Sequence, residues 1–156
     1  MMIRRWSSSK EWSSNVTLYS ETVKLDIPAM HKHVRLVSIC VTEILEQTEG
    51  ISDRETTTYA VQLAAHEACI NIVDHAYAQD PAGRIALTMT LWADPQRFEI
   101  GLNDTGHSFD LSQIPAPDLT QAHEHGYGLF LVRNLMDEVT YKPEPGNNRW
   151  HLVKYL

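Results

Sequence analysis

The chain has 156 residues, 43% of them hydrophobic and 21% charged, with seven glycines and seven prolines. That is ordinary globular composition and excludes a disordered, collagen-like or mucin-like chain; the length suits one domain able to bury about 70% of its unfolded surface. Thirteen Lys and Arg against twenty Asp and Glu give a formal net charge of −7, which argues against direct binding of duplex nucleic acid but not of nucleotide phosphates, since backbone N–H groups and Mg²⁺ can hold those.

Residues 1–15 are Ser-rich and aperiodic and are expected to form a flexible tail, with a single domain over 16–156. The tail lacks the apolar core of a signal peptide, and no run of eighteen apolar residues occurs anywhere. Cys40 and Cys69 lie in separate apolar stretches, so no disulfide framework is indicated. A soluble protein of the cytoplasm, without a membrane partner, is the expectation.

Val16–Ile27 alternates weakly, as an edge strand does. Pro28 can open a helix, and Met30, Val34, Val37, Val41 and Leu45 then recur at helical spacing. Ser52-Asp53-Arg54-Glu55 has the spacing of a capping box and predicts a second helix to about Ala76. Ile85–Leu91 and Phe98–Leu102 alternate as a hairpin around Asp94-Pro95-Gln96. Ser108–His125 reads as a loop or short lid, and a third helix follows Gly126-x-Gly128. Val139–Lys142 and Trp150–Tyr155 close the chain as strands around a Pro143–Asn148 turn. This order suggests an α/β sandwich of the α+β kind, with a mixed, mainly antiparallel sheet covered by helices on one face.

Three features bear chemistry. The second helix is apolar almost all round, as a buried helix is, yet carries Glu67, Asn71, Asp74 and His75 within an arc of roughly 100° at regular α-helical geometry. Buried acids and amides need partners; a metal ion with a polar ligand would supply them, and so would a plain helix-face hydrogen-bond network. Asp104 continues the core-facing parity of Phe98, Ile100 and Leu102, where a carboxylate can accept from an exocyclic amine; it could equally cap a turn before Gly106. Gly126-Tyr127-Gly128-Leu129 opens a helix whose free N–H groups suit phosphate, though the same residues could be a simple hinge. No dinucleotide fingerprint, P-loop, zincin motif or nucleophile elbow is present.

In order and at these intervals, Glu67-x-x-x-Asn71, Asp104-x-Gly106 and Gly126-x-Gly128 are far more specific than any one alone. The pattern resembles the Bergerat-fold ATPases, the superfamily of gyrase, MutL, the heat-shock chaperone and histidine-kinase ATP-binding domains. More narrowly, His66-Glu67-Ala68-Cys69-Ile70-Asn71-Ile72-Val73-Asp74-His75-Ala76-Tyr77 and the stretch from Gly126 to Val139 look like the anti-sigma-factor serine kinases of bacterial partner-switching systems. The likeness covers about Leu18 to Tyr155.

The resemblance implies ATP and Mg²⁺ as cofactors. It makes Glu67 the general base, Asn71 the Mg²⁺ ligand and Asp104 the acceptor for the adenine amine. Gly106 would let the base lie flat, Gly126, Tyr127, Gly128 and Leu129 would bind the phosphates through their backbone, and His75 and Ala76 would line the pocket. Arg35 matches a position from which relatives reach their partners. Those implied partners are a small STAS-like anti-sigma-factor antagonist, phosphorylated on a Ser, a sigma factor, and a second copy of the chain in a homodimer.

The pattern also departs from the family. Ser108 replaces a frequent second glycine, and the lid has no Lys or Arg. The last-strand Thr that often helps to hold adenine has Asn148 or Arg149 as its nearest counterpart, which leaves that contact open. A non-catalytic regulatory protein that uses nucleotide as a switch is the alternative. The ATP-binding half of a histidine kinase is not expected, because 156 residues leave no room for a phosphoacceptor helix pair.

Overall fold

A computed structural model describes residues 20–109 and 127–156. In chain order it contains β1 (Ser20–Pro28), α1 (His31–Glu46), α2 (Arg54–Asn71), a π-turn (Ile72–Ala76), β2 (Arg84–Ala93), β3 (Gln96–Asp104), α3 (Tyr127–Leu135), β4 (Glu138–Lys142) and β5 (Asn148–Tyr155). The sheet order is β1-β2-β3-β5-β4. Among the described residues every pairing is antiparallel, so the sheet is less mixed than expected.

Strand periodicity of two decides which face is covered. Leu87 sits opposite Leu102 and Leu102 opposite Trp150, while Met89 pairs with Ile100 and Ile100 with Leu152. These side chains are buried and form one cluster with Val34, Val37, Val41 and Leu45 of α1 and Val61, Ala64, Ala65 and Ala68 of α2. The other parity carries Lys24, Thr88, Glu99, Asn103, Arg149 and His151, which belong in water. The helices therefore gather on one face, α2 between α1 and α3. Arg54 at the start of α2 donates to the carbonyl oxygens of Leu45 and Glu46, satisfying the end of α1, whose own last turn has no basic residue.

Four features differ from the sequence expectation. Pro28 ends β1 opposite Arg84 rather than opening a helix, because Ala29 N–H still bonds Gly83 O across the sheet at 2.8 Å; α1 starts at His31 after an extended Met30. Asp53, not Ser52, caps α2, its carboxylate accepting from Thr56 N–H at 3.2 Å. The second helix does reach Ala76, but beyond Asn71 it widens into the π-turn, seen in the Tyr77 N–H to Ile72 O bond of 3.2 Å. β5 begins at Asn148, which the sequence placed in the turn.

Candidate functional site

The site lies where the C-terminal half of α2, the π-turn, the ends of β3 and β5, and the first turn of α3 converge. Glu67 and Asn71 are half-buried on α2, one turn apart. A Cβ on Gly128 would lie 2.6 Å from Glu67 Oε2 and 3.7 Å from Asn71 Oδ1. Only a residue without a side chain lets the start of α3 approach the acid and the amide this closely. Leu129 is buried and fixes α3 against the core, and Tyr127 is half-buried beside it. Gly126 falls outside the described residues.

The π-turn breaks the single polar arc expected of α2. Asp74 accepts from His31 Nε2 of α1 at 2.9 Å and from Gln79 Nε2 at 3.3 Å, so it serves a link between elements. His75 is exposed, its ring 6.3 Å from that of Phe109 and edge-on to it. Ala76 is fully buried, and its carbonyl receives His107 N–H at 2.7 Å. A Cβ on Gly106 would sit 2.4 Å from that same carbonyl oxygen. The exit of β3 is thereby latched to the end of the π-turn.

Asp104 is 2% exposed on the core side of β3, as its parity predicts. Its Oδ1 accepts from Gly106 N–H and from Asn148 Nδ2, both at 2.9 Å, while Oδ2 is buried with no partner among the described residues. Burial pushes the carboxyl above its ordinary range, and the two donors pull it back only in part. A buried acceptor left open fits a ligand donor, and the amine of adenine has that chemistry. A cavity of about 530 Å³ at the exit of β3 is lined by Ala76, Tyr77, Thr105, Gly106, His107 and Ser108 among others, and Asp104 is not part of its lining. A larger cavity, about 710 Å³, lies at the far end of α1 near Trp92 and holds none of the motif residues.

Three contributors were missed or left open by sequence reasoning. Tyr77 Oη donates to Arg84 O at 2.9 Å and accepts from Thr105 N–H at 2.9 Å, tying the residues after the π-turn to both strands. Asn148, and not exposed Arg149, faces Asp104 in the β3–β5 register. Phe109 stacks on Tyr141 at 4.7 Å, and Tyr141 lies against Trp150 at 4.6 Å. Only pairing across the sheet could reveal the last two. Arg35 is exposed on α1. Among the described residues no helix is long and apolar enough to cross a membrane.

The family described as histidine kinase-like ATPase domain matches residues 27–154. A serine-protein kinase RsbW of Halalkalibacterium halodurans is 36% identical over 141 residues, covering 81% of this chain and 78% of its own length. The chain belongs to this ATPase family, on its serine-protein kinase branch. The serine-protein kinase RsbW of Bacillus subtilis is 29% identical, with 81% of each chain covered. A Mycobacterium tuberculosis chain that comprises RsbU and RsbW domains shares this fold over part of its length. That match has a TM-score of 0.62 at 18% identity and covers 87% of this chain but 32% of the other. The residues present suit the family's nucleotide: an open carboxylate oxygen, a glycine held against an acid and an amide, and a helix start facing them.

Proposed function

We propose that the protein is an ATP-dependent protein serine kinase and anti-sigma factor of a partner-switching system, transferring the γ-phosphoryl group of ATP to a Ser of a small STAS-like antagonist. One observation carries the reading: Gly128 stands within 2.6 Å, measured from its would-be Cβ, of Glu67 Oε2 and close to Asn71 Oδ1. It joins a phosphate-binding backbone, a base and a hard oxygen ligand, the parts phosphoryl transfer requires. The relatives named serine-protein kinase support it.

Glu67 orients the attacking hydroxyl and accepts its proton. The backbone of Tyr127, Gly128 and Leu129, with Gly126 before them, binds the phosphates at the α3 N-terminus. Asp104 Oδ2 accepts from the adenine amine, and Gly106 keeps the plane of the base clear. His75 and Ala76 line the approach. Asn71 Oδ1 would hold Mg²⁺, which would supply the charge that offsets that of the phosphates. Arg35 belongs to the surface that meets the antagonist and the sigma factor, and the working form is a cytoplasmic homodimer without direct nucleic-acid contact.

The test is incubation of the chain with labelled ATP, Mg²⁺ and its cognate antagonist. Label on an antagonist serine, lost in Glu67→Gln with ADP affinity kept, is the expected result. ATP-dependent capture of the antagonist with no phosphoserine would replace the kinase by a nucleotide-switched binder.

A further inference from the structure

The stretch before β1 and the body of the chain carry opposite charge. Residues 1–19 hold Arg4, Arg5 and Lys10 against Glu11, which gives 3 − 1 = +2, so residues 20–156 carry −7 − 2 = −9. The same stretch contains Ile3, Trp6 and Trp12 in a sequence without periodicity. Bulky apolar groups in such a pattern build no core of their own and need a surface supplied from elsewhere.

The body offers that surface at the point where the stretch joins it. Ser20, the first residue of β1, pairs with Trp92 of β2. Trp92 and Glu21 both line the cavity of about 710 Å³ between the end of α1 and the β1–β2 edge, a size usual for ligand pockets. Val23, Met89 and Leu91 give this groove apolar walls, and Val23 is 41% exposed there. Glu21, Glu43 and Glu49 give it an acidic lining, and no Lys or Arg is among its lining residues. None of the ion pairs among the described residues engages Glu43 or Glu49. An apolar wall edged with negative charge suits a basic, aromatic segment. Trp12 stands eight residues before Ser20 and Trp6 fourteen, and a chain without fixed structure averages spans of about 15 and 20 Å over such lengths. Either indole therefore reaches the groove, at a local concentration in the millimolar range.

We propose that this groove is the docking site of the chain's own segment Ile3–Trp12, with an indole against the apolar walls and the basic residues against the glutamates. Docking covers the edge of the sheet beside β1, where another chain would otherwise add. The groove holds none of the nucleotide-motif residues, so the inference does not depend on the nucleotide-binding reading.

The experiment is zero-length carbodiimide cross-linking of the full chain, read by peptide mapping on a subunit-exchanged mixture of ¹⁵N-labelled and unlabelled protein. Lys10 should join to Glu43 or Glu49 in links of uniform isotope. Glu43→Gln combined with Glu49→Gln, both at exposed positions that do not decide folding, should abolish those links. Trypsin should then cut after Arg4, Arg5 and Lys10 about 10-fold faster than in wild type, as expected when a docked segment opens more often. Trp6→Ser combined with Trp12→Ser should speed cleavage similarly without removing any charge. Links of mixed isotope would place the segment in the groove of a second copy, and they overturn the proposal. So does wild-type cleavage as fast as that of both double variants, which would leave the groove to a separate partner.

Discussion

Alanine at Gly106 and at Gly128 should have opposite consequences, although both sites are too tight for a Cβ. At Gly106 the new carbon would meet the Ala76 carbonyl oxygen at 2.4 Å, about 1 Å inside ordinary contact, which begins at 3.4 Å. That oxygen is main chain at the end of the π-turn and already holds His107 N–H, so it cannot retreat without unlatching the exit of β3 from the π-turn. Overpacking of this kind costs about 2–3 kcal/mol, which for a chain this long lowers Tm by about 5–10 °C. At Gly128 the carbon would meet Glu67 Oε2 at 2.6 Å, about 0.8 Å too close, but that atom ends a flexible side chain and can swing away. The fold should then hold, with any local strain offset by the better helix propensity of Ala, worth up to about 1 kcal/mol. The displaced carboxylate is the proposed base, and a misplacement near 1 Å costs about 100-fold in rate. Thermal melts and single-turnover phosphorylation of the antagonist would separate the two. A Gly128→Ala variant that melts earlier than Gly106→Ala, or phosphorylates at the wild-type rate, would refute the reasoning.

Asp104→Asn should weaken ADP binding and raise the relative affinity for inosine diphosphate, since an amide there can donate to a 6-oxo group; competition with a fluorescent nucleotide reads it. Without nucleotide, the raised pKa of Asp104 means that its contribution to stability is full below the ordinary carboxylate range and is lost as pH rises through the folded value. Urea unfolding of the apo-protein at stepped pH should show this slope, and Asp104→Asn should remove it. Tyr77→Phe removes an acceptor from Thr105 N–H and a donor from Arg84 O, at about 1 kcal/mol each; denaturant melts should shift accordingly and ADP binding weaken. Cys69 is buried with its thiol pushed up to about 12, so at pH 8 a thiol reagent should modify half-buried Cys40 first and Cys69 only on unfolding, as peptide mapping would show.

Much of the fold was legible because binary patterning is local. Ile85, Leu87 and Met89, then Phe98, Ile100 and Leu102, alternate with period two and lie on the covered face, and Asp104 kept their parity to its buried place. The polar arc of α2 was misjudged beyond Asn71, because propensity and spacing do not distinguish an α-turn from a π-turn at Ile72–Ala76; the latch of Ala76 O to His107 N–H goes with that widening. The start of α1 was misplaced for a related reason. Pro28 suits a helix N-terminus and a strand end alike, and the neighbouring strand decided between them.

By itself the sequence determined the residue types at each corner of the site: an acid and an amide one turn apart on an apolar helix, a carboxylate on the core face of a strand, and a small residue opening a helix. Those follow from periodicity, which each segment carries alone. Tertiary structure alone decided that Gly128 touches Glu67, that Asn148 rather than Arg149 stands behind Asp104, and that Gly106 presses on Ala76. These contacts join segments from 30 to 61 positions apart in the chain. They exist because burying one shared apolar face sets the sheet register and the helix packing, and no single segment encodes either.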